Sequence, residues 1–436
     1  MPDPNTPAYS RRLFLQQGIG FISLAATAPL FIQQSAKGML LPLGSMLSAV
    51  PGVPEDHVLV VVQLGGGNDG LNTVVPYGNP AYYKSRQNIA VPAPGKSGNN
   101  NQQGALKLDE HNGIGLHPNL SGLKELMDDG VAAIVQGVGY PNPNRSHFTS
   151  MDIWQTADTG AKGYGWIGRY FDCTCHGTPV PEGAVAIGHD SPLAMQGQIQ
   201  KPVSFESAEL FRWLGEDLDN NKSLKESYDK ITRAGQLDKT SSESQLGFLT
   251  RTALDAQVSS ERIRAAVAKR PLVAYPGGNL SRQLQIVGAM IRDGLPTRVY
   301  YVSLSGFDTH ANEVPTHSNL MRQLGDSLNA FYKDLKAQGN SSRVLTMCFS
   351  EFGRRVGSNA SGGTDHGTAA PMYFVGEMMK PGLLGDHPSL TDLDEGDLKF
   401  NVDFRSIYAS VLEDWMGAPS EKVLGKQFRK AKIIRT

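Results

Sequence analysis

The sequence predicts an α/β fold in which a mostly parallel central sheet carries helices on both faces. The first observation is a set of short apolar runs rich in β-branched residues, which is typical of strands buried on both sides. These runs are residues 58–64, 131–136, 298–304, 343–349 and 372–375. The second observation is that three of the runs follow segments of helical character, at residues 119–127, 280–292 and 318–338. Strands that alternate with helices favour a parallel sheet.

The length of the chain fits one large domain or two ordinary ones. Residues 204–270 are polar and rich in charge, and they contain no strand-like run. We therefore expect a single domain over residues 58–436, with a helical insertion or lid at residues 204–270.

The overall composition excludes several classes of partner. The 41 basic and 42 acidic side chains give a formal net charge of −1, so no global field attracts nucleic acid or an anionic membrane. Three cysteines are too few to staple a chain of 436 residues, which must be stabilised by burial instead. The segment from Cys173 to His176 resembles half of a metal motif but has no second half. We assign it no chemistry, and a strained disulfide there stays open.

The N-terminus has the pattern of a twin-arginine secretion signal. Arg11 and Arg12 precede an uncharged, mildly apolar stretch at residues 18–32, which is shorter than the roughly 20 residues of a stable membrane span. We predict a signal at residues 1–36, a linker at 37–57, and export to the periplasm or outside the cell with the twin-arginine translocase as partner. A clean cleavage site is missing around residues 34–36, which leaves an uncleaved anchor as the alternative. Such export of folded proteins favours a bound ion.

Polar segments stand at the ends of the predicted strands, where ligands bind in open α/β sheets. They are residues 65–70, 137–147, 305–310 and 350–355, together with residues 362–367, which directly precede a strand. If these loops converge, they form a metal site from Asp69, Asp308, His310, Asp365 and His366. Carboxylate and imidazole ligands suit zinc, manganese or iron, whereas carboxylates and amides suit calcium. The identity of the ion stays open, and ordinary hydrogen-bonded loops are the alternative.

Ser146 stands at the start of a segment that can be helical through Trp154. It is a candidate nucleophile, with Arg145 clamping an anionic group of the substrate and His147 acting as a base or a metal ligand. The alternative role of Ser146 is a helix N-cap. Arg354 is a second candidate for binding a phosphate or sulfate, and a structural ion pair is its alternative role.

Several motifs together resemble the bacterial family DUF1501, which is grouped with the alkaline phosphatase and sulfatase superfamily. The resemblance runs from about residue 58 to the C-terminus and includes the segment Gly-Gly-Asn-Asp-Gly-Leu-Asn-Thr-Val-Val-Pro-Tyr at residues 66–77. The other segments that carry it are residues 141–148, 306–311, 350–355, 362–371, 403–406 and 412–415.

The resemblance implies an alkaline-phosphatase-like fold and a role for the residues already singled out. Asp69, Asp308 and the pair Asp365-His366 resemble metal ligands of the superfamily, and the context of Ser146 resembles that of its nucleophile. The spacing of Asp308 and His310 departs from the superfamily pattern, and His317 is a candidate for the displaced ligand. The Cys/Ser-x-Pro-x-Arg signature of sulfatases is missing, so sulfate esters are the less favoured substrates.

These expectations converge on an exported, metal-dependent hydrolase of phosphate or related esters, acting on a small anionic molecule. The alternative is a metal-binding or cell-surface binding protein that keeps the fold without catalysis.

Overall fold

A computed structural model of the chain describes residues 56–98, 102–174, 181–188, 191–199, 202–205 and 262–435. The predicted signal, almost all of the predicted linker and most of the predicted insertion lie outside these residues, as do Cys175 and His176. At the end of the predicted insertion, residues 262–267 are helical.

The described residues form a nine-stranded central sheet. Its order is β11-β5-β10-β9-β1-β8-β6-β7, and β14 also pairs with β5. The strands are β1 (Val58–Gly65), β5 (Ala132–Gly139), β6 (Ala184–Ile187), β7 (Val203–Phe205), β8 (Val299–Ser305), β9 (Val344–Ser350), β10 (Ala370–Val375), β11 (Gly382–Leu384) and β14 (Val402–Asp403). Every pairing in this sheet is parallel except the two that β10 makes with β5 and β9. The predicted mostly parallel sheet is therefore confirmed, and all five predicted runs are strands.

Short strands form two smaller sheets at the periphery. One contains β2 (Val74–Val75), β3 (Leu106–Asp109) and β4 (Ile114–Leu116), and the other contains β12 (Leu393–Asp394) and β13 (Asp397–Leu398). The sequence has no apolar run that predicts these strands, because each has only two to four residues.

Strand β1 shows why the apolar runs are unbroken rather than alternating. Val60 and Val62 point into one hydrophobic core, whereas Leu59 and Val61 point into a second core on the other face. A strand with a core on each side has no position for an exposed polar side chain. Burial of each such side chain contributes roughly 1.5–3 kcal/mol.

Helices cover both faces of the sheet, as the sequence predicts. They are α1 (Gly70–Thr73), α2 (Pro80–Ser85), α3 (Ser121–Asp128), α4 (His147–Thr156), α5 (Trp166–Thr174), α6 (Asn279–Arg292), α7 (Glu313–Gln338), α8 (Phe404–Ser410) and α9 (Ser420–Leu424). Side chains of α3, α6 and α7 pack in the first core, and side chains of α4, α5 and α8 pack in the second. In the described part of the chain, no helix has the length and apolar character needed to span a membrane.

The antiparallel direction of β10 positions the candidate site. Because β10 runs opposite to its neighbours, it begins at the edge where the parallel strands end. The connection from β9 to β10 therefore stays at that edge, and it carries Asp365 and His366 to the ends of β1, β5 and β8.

The contact between α3 and α7 depends on Gly122. A Cβ atom on this residue would lie 2.5 Å from the carbonyl oxygen of Gly325, so the helices would have to move apart. We expect Gly122→Ala to destabilise the protein by about 1–3 kcal/mol, measured as a lower melting temperature. Gly277→Ala is the control, because its Cβ would meet no atom of the described residues within 4 Å. Equal melting temperatures for the two variants would contradict this packing.

Candidate metal centre

Four side chains converge at the carboxyl edge of the sheet. His147 is the first residue of α4 after β5, Asp308 and His310 follow β8, and His366 precedes β10. From Asp308 Oδ1, the Nε2 atoms of His147, His310 and His366 lie 3.4, 3.1 and 3.2 Å away. The Nε2 atoms of His310 and His366 are 2.9 Å apart. We call these four residues the His3Asp cluster.

The cluster has the composition of a metal site. Ligand atoms of His147, Asp308 and His366 all lie within 4.8 Å of one another, and His310 Nε2 touches two of these three residues. Imidazole nitrogens and a carboxylate oxygen are common ligands of transition metals.

Each imidazole of the His3Asp cluster is held from behind by an oxygen acceptor. The Nδ1 atom of His147 lies 2.9 Å from Glu351 Oε1, that of His310 lies 3.2 Å from Asp365 Oδ1, and that of His366 lies 2.8 Å from the carbonyl oxygen of Arg145. With an ion bound, these acceptors would hold the proton of each ring on Nδ1 and leave the Nε2 lone pair for the ion. Among the described residues, the buried Nε2 of His147 has no hydrogen-bond partner. Metal-binding histidines are held in the same way.

The two exposed aspartates of this region are ionised. Partial burial by itself would raise the pKa of Asp308, but hydrogen bonds from Arg354 and His366 and the charge of Arg354 lower it to about 2. A hydrogen bond from Asn359 lowers the pKa of Asp365, and His310 adds to the effect. Asp308 is therefore available as an anionic ligand, and Asp365 as an anionic acceptor for His310.

Arg354 ties three loops together beneath the cluster. Its side chain is fully buried. The guanidinium donates to the carbonyl oxygens of Gly67, Thr364 and Phe307 at 2.7, 2.9 and 3.0 Å, to Asp308 Oδ1 at 2.7 Å, and to the carbonyl oxygen of Gly66. A buried guanidinium with these partners does not reach a substrate. The geometry matches the alternative role of Arg354, a structural ion pair, with Asp308 as its anion.

Asp69 lies apart from the cluster. Its side chain is fully buried and forms an ion pair with Arg86, and its Oδ1 caps α1 by accepting from the amides of Leu71 and Asn72 at 3.1 and 3.3 Å. Burial opposes ionisation of Asp69, but Coulombic attraction to Arg86 and hydrogen bonding outweigh it and hold the pKa below its usual range. Both carboxylate oxygens are thus occupied, which does not fit the predicted role as a metal ligand.

The structure brings together three of the five predicted ligands, namely Asp308, His310 and His366. Asp365 lies behind His310 as its acceptor, and His147, expected as a base or a ligand, joins the set. His317 is buried elsewhere, with its Nε2 3.2 Å from Asn68 Oδ1, so it does not replace a ligand of the cluster.

Ser146 is the N-cap residue of α4 by position, but its side chain makes no capping hydrogen bond. The residue is exposed and lies between Arg145, whose carbonyl oxygen accepts from His366, and His147. The side chain of Arg145 pairs with the buried carboxylate of Asp397, and Arg355 Nε lies 3.6 Å from the other oxygen of that carboxylate.

Two contributors to this region were missed in the sequence. Glu351 orients His147 and also accepts from the amide of Gly66 at 2.8 Å. Phe352 packs against the rings of His147 and His366 at centroid distances of 4.9 and 4.8 Å. Their place directly after β9, inside a polar strand-end loop, was the available signal.

A family model described as "Protein of unknown function (DUF1501)" matches residues 56–397. The chain belongs to the DUF1501 family. No curated protein matches it.

Solved structures similar to this DUF1501 protein have low identity and low TM-scores. A protein in the alkaline phosphatase superfamily from Vibrio parahaemolyticus has a TM-score of 0.39 and 7% identity, covering 91% of this chain and 77% of its own. A sulfatase from Pseudoalteromonas sp. has a TM-score of 0.33 and 10% identity, covering 100% and 78%. The soluble domain of lipooligosaccharide phosphoethanolamine transferase A from Neisseria meningitidis has a TM-score of 0.32 and 10% identity, covering 78% and 80%.

The structural role of Arg354 predicts a large stability loss on its removal. In Arg354→Met, buried carbonyl oxygens of three loops lose their donor, which costs at least about 3 kcal/mol. The neighbouring variant Arg355→Met is the matched control, because the side chain of Arg355 is 39% exposed and its loss should cost less than about 1 kcal/mol. Thermal denaturation compares the two. If Arg354→Met and Arg355→Met have the same melting temperature, the structural role assigned to Arg354 is wrong.

Proposed function

We propose that this protein is an exported, metal-dependent hydrolase of phosphate or related esters that acts on small anionic molecules. The observation that carries the proposal is the convergence of three imidazole Nε2 atoms on Asp308 Oδ1, with each Nδ1 atom anchored to an oxygen. Ester hydrolysis is the chemistry that we assign to this centre, with Ser146 and two arginines beside it.

The donor set fits a transition metal better than calcium. His147, His310, His366 and Asp308 would hold the ion through three nitrogens and one carboxylate oxygen, and the unpartnered Nε2 of His147 is an atom that such an ion would satisfy. Zinc, manganese and iron accept these ligands, whereas calcium prefers an all-oxygen set. When bound, the ion would act as a Lewis acid toward anionic oxygens of the substrate.

Ser146 is the nucleophile of the proposal. Its hydroxyl group stands at the start of a ten-residue helix, where the helix dipole favours negative charge. The residue that follows it, His147, belongs to the His3Asp cluster, and the residue that precedes it, Arg145, accepts from His366. The Ser146 Oγ–phosphorus bond forms as the bond from phosphorus to the alcohol oxygen breaks, and the hydroxyl proton ends on the departing alcohol. Water then hydrolyses the phosphoserine ester and restores the hydroxyl group.

Arg145 and Arg355 supply positive charge for the anionic group of the substrate. Their side chains are 37% and 39% exposed, and they share the single buried carboxylate of Asp397. Two guanidinium groups on one carboxylate leave one net positive charge beside the cluster. Arg355 thus takes the substrate-binding role that the sequence suggested for Arg354, because Arg354 is buried.

The N-terminal signal pattern supports export through the twin-arginine translocase to the periplasm or beyond the cell. The near-zero net charge gives no reason to expect nucleic acid as a partner. We expect no stable membrane span in the mature form, because the apolar stretch at residues 18–32 is short.

One observation favours a second candidate function, a metal-binding protein without catalysis. Within the described part of the chain, no side chain forms a hydrogen bond with Ser146 Oγ, so no base is in position to activate the hydroxyl group. A non-catalytic protein would keep the His3Asp cluster without needing such a base.

Metal content tests the centre directly. His147→Ala and His366→Ala should each lower zinc affinity by at least about tenfold, because each removes a ligand. His111→Ala is the control, since His111 is exposed and is not a member of the His3Asp cluster. Elemental analysis after dialysis against a weak chelator gives the result. Equal metal content in all variants and in the parent protein would exclude this centre.

Turnover tests the role of Ser146. Ser146→Ala should abolish hydrolysis of 4-nitrophenyl phosphate while metal content and melting temperature stay those of the parent protein, because the hydroxyl group makes no structural hydrogen bond. Ser361→Ala, at another exposed serine, should keep full activity. A parent protein that binds metal but turns over no phosphate or sulfate ester would instead support the non-catalytic candidate.

A further inference from the structure

We infer that the centre holds a single divalent ion, because the guanidinium of Arg86 acts as a fixed cation on Asp69, the buried carboxylate that could otherwise bind a second ion. This inference rests on the proposed metal centre at the His3Asp cluster and extends it to the number of ions and the reason for that number.

Arg86 pairs with the buried carboxylate of Asp69. Its Nη1 pairs with Asp69 Oδ2, and both side chains are fully buried. The remaining donors are also used, since Nε donates to the carbonyl oxygen of Val356 at 2.9 Å and Nη2 to that of Arg355 at 2.7 Å. The guanidinium is therefore fixed from three sides.

Glu313 is a second buried carboxyl group in this layer. Its oxygens accept hydrogen bonds from Thr364 Oγ1 at 2.6 Å, Asn72 Nδ2 at 3.1 Å and Thr309 Oγ1 at 3.2 Å. Thr309 lies between Asp308 and His310, and Thr364 directly precedes Asp365. The layer of Asp69, Arg86 and Glu313 thus lies directly against the loops that carry the ligands.

The charges of this layer are already balanced. Burial and the nearby carboxylate of Asp69 raise the pKa of Glu313 well above its usual range, which favours its neutral acid. Asp69 and Arg86 then cancel each other, and a divalent cation would meet a guanidinium instead of a free carboxylate.

The other acidic groups near the His3Asp cluster are also engaged. Asp365 accepts from His310 and Asn359, and Glu351 accepts from His147 and the amide of Gly66. Across the described residues, the set of His147, Asp308 and His366 is the one group of three or more ligand atoms close enough to share an ion. The free donors therefore suffice for one ion.

The number of ions per chain tests the inference. The full-length protein is saturated with zinc and, separately, with manganese, passed through a desalting column and analysed for metal and protein. We expect one ion per chain in each case. Two tightly bound ions per chain would overturn the inference but leave the proposed centre standing. No bound ion would overturn the inference and the proposed centre together.

Arg86 variants test the physical cause. Arg86→Ala leaves the buried carboxylate of Asp69 without its cation, so we expect it to bind a second divalent ion and to gain melting temperature on addition of manganese. Arg86→Lys keeps the charge and should stay at one ion, without that gain. If Arg86→Ala binds only one ion and manganese does not stabilise it, Arg86 is not the reason that a second ion is excluded. Should Arg86→Ala fail to fold, the ion counts of the parent protein and of Arg86→Lys still test the inference. One ion per chain in both supports it, and two ions in either overturns it.

Discussion

The buried guanidinium of Arg354 is the interaction on which the candidate site depends. It donates to carbonyl oxygens of the loops after β1 and β8 and of the segment before β10, and to the carboxylate of Asp308. One five-donor side chain thus supplies hydrogen-bond partners to buried carbonyl oxygens of all three segments. The same contact fixes Asp308 and keeps it ionised.

The direction of β10 is the second constraint. In a wholly parallel sheet the segment before β10 would lie at the opposite edge, and His366 would be far from His147 and His310. The antiparallel pairing with β5 and β9 brings that segment to the edge where the parallel strands end. One reversed strand therefore lets three separate loops contribute imidazoles to a single point.

Charge is separated into two layers at this edge. In the buried layer, Asp69 and Arg86 neutralise each other and the raised pKa of Glu313 favours its neutral acid, so the layer has no net charge. The outer layer contains the His3Asp cluster and the side chains of Arg145 and Arg355, which are partly exposed to solvent. Buried charges are tolerated only when they are paired, and for this reason the inner aspartate is structural while the outer aspartate is available as a ligand.

The sequence by itself determined five of the nine strands of the central sheet and pointed to the edge at which the candidate site lies. Buried strands require unbroken apolar runs, and polar residues gather where those runs end, so both features are local patterns. The tertiary structure alone decided which polar residues meet. Asp69 and Asp308 both follow parallel strands, yet Asp69 faces Arg86 whereas Asp308 faces three imidazoles. The roles of Arg354 and Glu351 were decided in the same way, because burial and partners distant in sequence leave no mark in a local pattern.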